Sequence, residues 1–454
     1  MNFILKNKRK KLVSIIVLMT VLAFTPEKIE QFEFPVFRVV VDPGHGGIFS
    51  KNREKHGDKF DLVTGKYINW FAEGANLYGH YERDIVFNIA TRVLHYLDMC
   101  APDGDFSEFR KILSKYTEGG IRRVYIETML SRDKSIPFEN AGDHEDPNAP
   151  YRLYDYPDKE GKIKPGRISV INSFKPHLVV SLHLAKSAPP DYKGMNGIIV
   201  PPYNVLKNGL NLLRKGGRGK IRDHNVLASW FTESRRVSYR FSYLKDSSTY
   251  FTGYGLKKNY SIDYRDFNGY KYNMVTWAYS DPSGWHLTAR EHKPKTQYSD
   301  NFRTFREGGA FNEREKSVYE SYRRGDSFKN FGGDNRFATY ELIRYILLSL
   351  DSRGINGRSK IPGKPFISTW SLPLLVNAVC AYIELGYLDR KWDRNVLLNR
   401  QEEIAEGVAV GIYSLFAGID DVRGTFRYKP SGEKLDLKKY NMPDSRTYFE
   451  IVAE

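Results

Sequence analysis

Cysteine is almost absent from this chain, with Cys100 and Cys380 the only two in 454 residues. They are far apart and lie in apolar contexts. That excludes a disulfide framework and a C-x-x-C thiolate site, and both read as buried thiols. Long apolar runs are equally scarce. The longest, Leu12 to Phe24, follows Lys6, Lys8, Arg9, Lys10 and Lys11 and is ended by Thr25, Pro26 and Glu27. Thirteen residues are too few to span a bilayer comfortably but suit the apolar core of a secretory signal. A signal peptide or short anchor is therefore expected over 1–25, and membrane contact is expected through that segment only. No clean A-x-A cleavage site follows, Leu22-Ala23-Phe24 being the nearest. Acidic residues fall short of basic ones, 54 against 70, for a net charge of +16. That favours an acidic partner. With no recognisable nucleic-acid module in an exported chain, nucleic acid is not expected to be that partner.

What is present is ample for a core, at 41% hydrophobic residues. From Phe34 to about Pro201 strand and helix patterns alternate. Phe37 to Val41 is β-branched or aromatic and reads as a buried strand, and the Asp-Pro-Gly-His-Gly-Gly after it cannot continue it. Ile85, Ile89, Val93 and Leu97 recur every four residues and predict a helix from Glu82 to Met99. A strand is expected at Val124 to Leu130 and a surface excursion from Asp133 to Lys164. A helix follows at Arg167 to Phe174, and strands at His177 to Leu184 and Gly197 to Val200. Pattern returns at Arg336 with a helix carrying Ala338, Leu342 and Ile346. A strand at Ala378 to Glu384 and a helix striped by Ile404, Val408, Ile412 and Leu415, ending before Gly418, complete it. Strands alternating with helices predict an α/β fold, a layered mixed sheet flanked by helices.

Between these halves, residues 201–330 hold 24 Lys and Arg against 13 Asp and Glu, a difference of +11, and 13 of the 31 tyrosines. Val237, Tyr239, Phe241 and Tyr243 alternate with polar residues, so the insertion is expected to contain β-structure. The tail from Asp420 is polar and carries no readable role.

His45 sits on a glycine-flanked loop at a strand's carboxyl end, where open α/β sheets place ligands. Glu82 lies in the first turn of the next helix, and His183 is near the end of the strand that begins at His177. A catalytic zinc needs three nitrogen or oxygen ligands and one open position, and these three could line one sheet edge. Singly, each also reads as ordinary structure, Glu82 as a carboxylate favourable to a helix dipole.

VVVDPGHGG, GHYERDIVFNIA, LSRD at Leu130 to Asp133 and GRISVINSFKPHLVVSLHLA occur in that order. In that order they resemble the motifs of the zinc-dependent N-acetylmuramoyl-L-alanine amidases, a family of cell-wall hydrolases, over about 36–201 and 335–418. The resemblance implies that His45, Glu82 and His183 bind one Zn2+ per chain. It implies that Glu384, in Ile383-Glu384-Leu385-Gly386-Tyr387-Leu388, is the catalytic base. Arg167 matches a family arginine, with packing or an ion pair as the plain alternative. Asp42 would fix the His45 tautomer from behind, or would simply form the turn. Where the family has Asn two residues after the second histidine, this chain has Ala185. The loop between His45 and Glu82 is longer than usual, and 202–334 is extra.

The resemblance implies an exported enzyme of the periplasm or cell envelope that hydrolyses the amide between N-acetylmuramic acid and L-alanine in peptidoglycan, in wall remodelling or daughter-cell separation. It divides the chain into 1–25, the catalytic parts 36–201 and 335–418, the insertion 202–334 and a tail, 419–454. The insertion would be a lid displaced by an activator protein, or a basic, tyrosine-rich surface that grips the wall. Two other readings stand beside it: an inactive wall-binding scaffold, and a zinc peptidase or amidase acting on another exported substrate. His80, His144, His224, His286 and His292 have no ligand spacing and read as surface or loop residues.

Overall fold

The structure is a computed structural model. It describes residues 36–48, 60–61, 66–67, 71–133, 148–153, 156–187, 194–199, 331–355, 366–367, 372–374, 376, 378–424 and 429–440. Contacts divide the chain into two units, Met1–Val36 and Phe37–Glu454, and apart from Val36 every described residue belongs to the second. The expected signal segment, the strand around Val237 to Tyr243 and residues 202–330 of the expected 202–334 insertion lie outside the described residues, whereas residues 331–334 belong to the helix Phe331–Ser352 and correct the insertion's expected end. Among the described residues, no helix is long and apolar enough to cross a membrane.

In chain order the elements are β1 (Val36–Pro43), β2 (Phe60–Asp61), β3 (Lys66–Tyr67), β4 (Asn76–Leu77), β5 (His80–Tyr81), α1 (Glu82–Asp98), α2 (Phe106–Leu113) and β6 (Tyr125–Leu130). They continue with β7 (Tyr156–Pro157), β8 (Ile163–Lys164), α3 (Arg167–Ser173), β9 (Leu178–Ala185) and β10 (Asn196–Ile199). The last group is α4 (Phe331–Ser352), β11 (Phe366–Ile367), β12 (Val379–Tyr387), α5 (Lys391–Asn399) and α6 (Gln401–Ala417).

Six strands form one sheet in the order β11-β10-β12-β9-β1-β6. β1 and β12 both run parallel to the central β9, whereas β10 is antiparallel to β12. The sheet is thus mixed and flanked by helices, as the alternating pattern predicts. Val39, Val40 and Val41 are fully buried, so the strand's unbroken apolar run reflects cover on both faces. α1 buries Ile85, Ile89, Val93 and Leu97 on its core side, the four-residue stripe expected from the sequence. α6 meets α4 at close range, because a Cβ on Gly407 would stand 2.6 Å from Ile346 Cα.

The chain passes from β1 to β6 on one side and later enters β9 on β1's other side. Connections therefore diverge between β1 and β9, and the crevice at the carboxyl ends of such strands is where this architecture places ligands. One further expectation needs correction. The stretch Asp133 to Lys164 is not all surface: Asn148 and Arg152 are fully buried, and Asn148 Oδ1 accepts from Ile48 N at 2.8 Å. Part of the polar tail also packs, with Leu435 N donating to Leu415 O at 2.8 Å and Gly432 N to the buried Glu341.

Candidate metal centre

β1 ends by delivering Asp42-Pro43-Gly44-His45 to the crevice. His45 has φ 59, a left-handed conformation that costs a non-glycine residue about 1 kcal/mol or more. Three guanidinium groups hold the loop in place by donating to its carbonyls. Arg167 reaches His45 O at 2.8 Å and Pro43 O at 3.1 Å. Arg132 reaches Pro43 O at 2.9 Å and Gly44 O at 3.3 Å, and also bonds Arg83 O at the start of α1 at 2.8 Å. Arg83 itself bonds Gly47 O at 2.7 Å.

The His45 ring is oriented by Ala72, whose carbonyl lies 2.9 Å from Nδ1. A carbonyl can only accept, so Nδ1 carries the proton and Nε2 presents its lone pair. Nε2 is 3.8 Å from Glu82 Oε2. His183, buried near the end of β9, places Nδ1 3.0 Å from Glu82 Oε1. Its ring stacks on Tyr382 of β12 with centroids 4.3 Å apart and lies edge-on to the His45 ring at 5.0 Å.

Glu82 stands between the two imidazoles. The β4–β5 hairpin feeds directly into α1, and the carboxylate turns back to accept from Ala75 N at 2.7 Å and from Leu184 N at 3.0 Å. Burial alone would raise its pKa, but the facing histidines and the Ala75 N–H pull it down to about 2, so it is ionised at neutral pH.

The structure thus brings His45, Glu82 and His183 together, with one potential donor atom from each lying within 4.8 Å of the others. Two imidazoles and one carboxylate, leaving a position open, form the donor set of a catalytic zinc site. They also fit because the carboxylate is charged and the His45 lone pair is oriented before any cation arrives. No other such group occurs among the described residues.

Glu384 sits on β12 in register with His183 on β9. Paired residues of neighbouring strands project to one face, so Glu384 and the stacked Tyr382 share the His183 side of the sheet. Asp42 is different from the expectation that it fixes the His45 tautomer. It is fully buried behind the loop, where it accepts from Ser131 Oγ and, at 2.7 Å, from Ser181 Oγ, with Arg167 at 3.7 Å. Burial opposes its charge, but Arg167 and the two hydroxyls keep its pKa below the ordinary carboxylate value. It anchors the arginine that holds the loop, and Ala72 performs the role expected of Asp42. Arg167 accordingly does more than form an ion pair.

Of the remaining histidines, His177 accepts from Arg38 N at 2.9 Å, a structural contact. His144, His224, His286 and His292 lie outside the described residues. Sequence reasoning missed Arg132 and Arg83 as loop holders. Arg132 had a visible signal, a charged residue directly after a strand in LSRD, whereas the Ala72 carbonyl left none because any residue type supplies one.

No family model matches the chain, and no curated protein matches it. Solved structures similar to it include the N-acetylmuramyl-L-alanine amidase Ami1 from Mycobacterium smegmatis, at 12% identity and TM-score 0.33, covering 83% of this chain and 94% of that one. The apo form of Ami1 from Mycobacterium abscessus is 12% identical with TM-score 0.31, covering 83% and 96%. An N-acetylmuramoyl-L-alanine amidase from Clostridium difficile 630 is 11% identical with TM-score 0.30, covering 84% and 96%.

Proposed function

We propose that this chain is a zinc-dependent N-acetylmuramoyl-L-alanine amidase, exported to the cell envelope and acting on peptidoglycan. The observation that carries the reading is the assembled His45, Glu82 and His183 group with Glu384 in register beside His183. That is the minimal equipment of a metal-assisted amide hydrolase. The three residues would hold Zn2+, which when bound supplies Lewis acidity to the attacking water and to the amide carbonyl. Glu384 takes the proton from that water and delivers it to the nitrogen leaving as the amine of L-alanine. Arg167 and Arg132 keep His45 in its strained loop, and Ala72 keeps its Nε2 aimed inward.

In this reading the catalytic domain comprises 36–201 and 331–418. The basic insertion 202–330 is a lid opened by an activator or a surface that grips anionic wall polymers, and the N-terminal segment directs export. The test is release of free stem peptides from purified sacculi. Release that is abolished by chelation and restored by zinc is expected. A correctly folded, zinc-loaded protein that releases none would overturn the proposal in favour of a wall-binding protein.

A further inference from the structure

Across three neighbouring strands, His183, Glu384 and Asn196 stand in one register row. Glu384 pairs with His183 in the parallel β9/β12 ladder and with Asn196 in the antiparallel β10/β12 ladder. Directly opposed residues project to the same face. The Asn196 amide therefore lies beside Glu384, on the side away from His183.

Asn196 is fully buried, and its orientation is fixed. Tyr387 Oη donates to Asn196 Oδ1 at 2.8 Å. A register shift between Glu384 and Tyr387 sets Tyr387 opposite Ala185, and Tyr387 packs against Ala185 and Ile198 with 1% of its surface exposed. Its backbone N–H donates to Asp393 Oδ2 at 3.1 Å. Nothing in this arrangement occupies the other end of the amide, because Asn196 Nδ2 has no hydrogen-bond partner among the described residues. Buried donors without acceptors are rare in folded proteins, and each calls for an explanation.

We propose that Asn196 contacts the substrate, donating from Nδ2 to the first backbone carbonyl of the leaving peptide. The inference rests on the amidase reading. Glu384 must reach the leaving nitrogen, so a donor on the far side of Glu384 from His183 faces the next group along the peptide. In a stem peptide that group is the carbonyl of the residue whose amine is released. The contact selects a peptidyl amide over a simple alkyl amide, since only the former brings an acceptor to a donor that is otherwise buried and unpaired.

Two soluble substrates test this: N-acetylmuramoyl-L-alanyl-D-isoglutamine, which has that carbonyl, and N-acetylmuramic acid ethylamide, which lacks it. Asn196→Ala should lower kcat/KM on the dipeptide substrate about tenfold, the scale of one net hydrogen bond at the upper end of its range. It should leave the ethylamide rate and the zinc stoichiometry at wild-type values, while the unfolding midpoint falls because the buried Tyr387 hydroxyl loses its acceptor. Tyr387→Phe, which frees the amide to turn, should lower the same ratio in the same direction by less. Equal losses on both substrates would assign Asn196 a role in supporting Glu384 or the fold, and no loss on either would remove it from the site. Both results overturn the proposal. A zinc-loaded wild-type protein that cleaves neither substrate would instead overturn the amidase reading, and this proposal with it.

Discussion

Gly44→Ala changes one methyl group and is expected to disable the metal centre. A Cβ at this position would stand 2.3 Å from His183 Cε1, 2.4 Å from Nδ1 and 2.5 Å from Nε2. Ordinary contact begins at about 3.4 Å, so the ring must move by about 1.1 Å (3.4 − 2.3). It has little room to do so. β9 lies between β1 and β12, and Tyr382 stacks on the ring from the β12 side at 4.3 Å. Metal–ligand distances tolerate only about 0.2 Å, so a displacement of this size misplaces one of three ligands. Zinc affinity should fall about 10²-fold, which is about 2.7 kcal/mol. Gly44 is not among the residues at positive φ, so alanine suits its backbone and the fold should persist. Competition against a chromogenic chelator measures the affinity, and thermal unfolding of the metal-free protein checks the fold. A folded Gly44→Ala protein with wild-type zinc affinity would refute the placement of His183 as a ligand.

Glu384→Gln should retain stoichiometric zinc while turnover of soluble muropeptide falls by about 10² to 10⁴, the range for a lost general base. Arg132→Met should destabilise the fold by about 2–4 kcal/mol in denaturant titration, because it removes one donor from each of the Pro43, Gly44 and Arg83 carbonyls and leaves Pro43 O to Arg167. Removing zinc should lower the unfolding midpoint without unfolding the chain, as near-ultraviolet circular dichroism will read, since Glu82 keeps its Ala75 and Leu184 donors without a cation. Asp393 carries the pH prediction: burial pushes its pKa from the ordinary 3.8 up to about 6, against the pull of the Tyr387 N–H and Arg390. Its folded-state pKa is raised, so its contribution is complete below pH 3.8 and is lost as pH rises through 6, a change of about 3 kcal/mol. Asp393→Asn, which can still accept from Tyr387 N, should flatten that part of the stability–pH curve and raise stability at pH 7.

The elements legible in the sequence are those whose residue types are set by burial on both faces or by a repeated stripe. β1, β9 and β12 stand out as apolar runs, and α1 and α6 as four-residue repeats. α2 and α5 do not, because each is short and its buried set is a handful of residues within a polar stretch, Phe106, Phe109 and Leu113 in one and Asp393, Val396 and Leu397 in the other. The buried part of the 133–164 excursion is hidden for a different reason. Asn148 and Arg152 are polar residues whose burial depends on partners that only the fold supplies.

The candidate centre divides along the same line. His45, Glu82 and His183 can be singled out because glycines, a helix start and a strand end mark their positions. What holds them cannot. A backbone carbonyl at Ala72 sets the His45 tautomer, backbone N–H groups at Ala75 and Leu184 satisfy Glu82, and three arginines bind successive carbonyls of one loop. Such contacts constrain geometry while leaving residue identity nearly free, except at the arginines and at Gly44. The same logic explains why Asp42 misleads: an acid beside a candidate ligand histidine suggests a direct contact, yet its carboxylate is taken up by the Ser131 and Ser181 hydroxyls and faces Arg167. Its influence on the metal site passes through the guanidinium that grips the His45 carbonyl, so the carboxylate orients a loop rather than a ring.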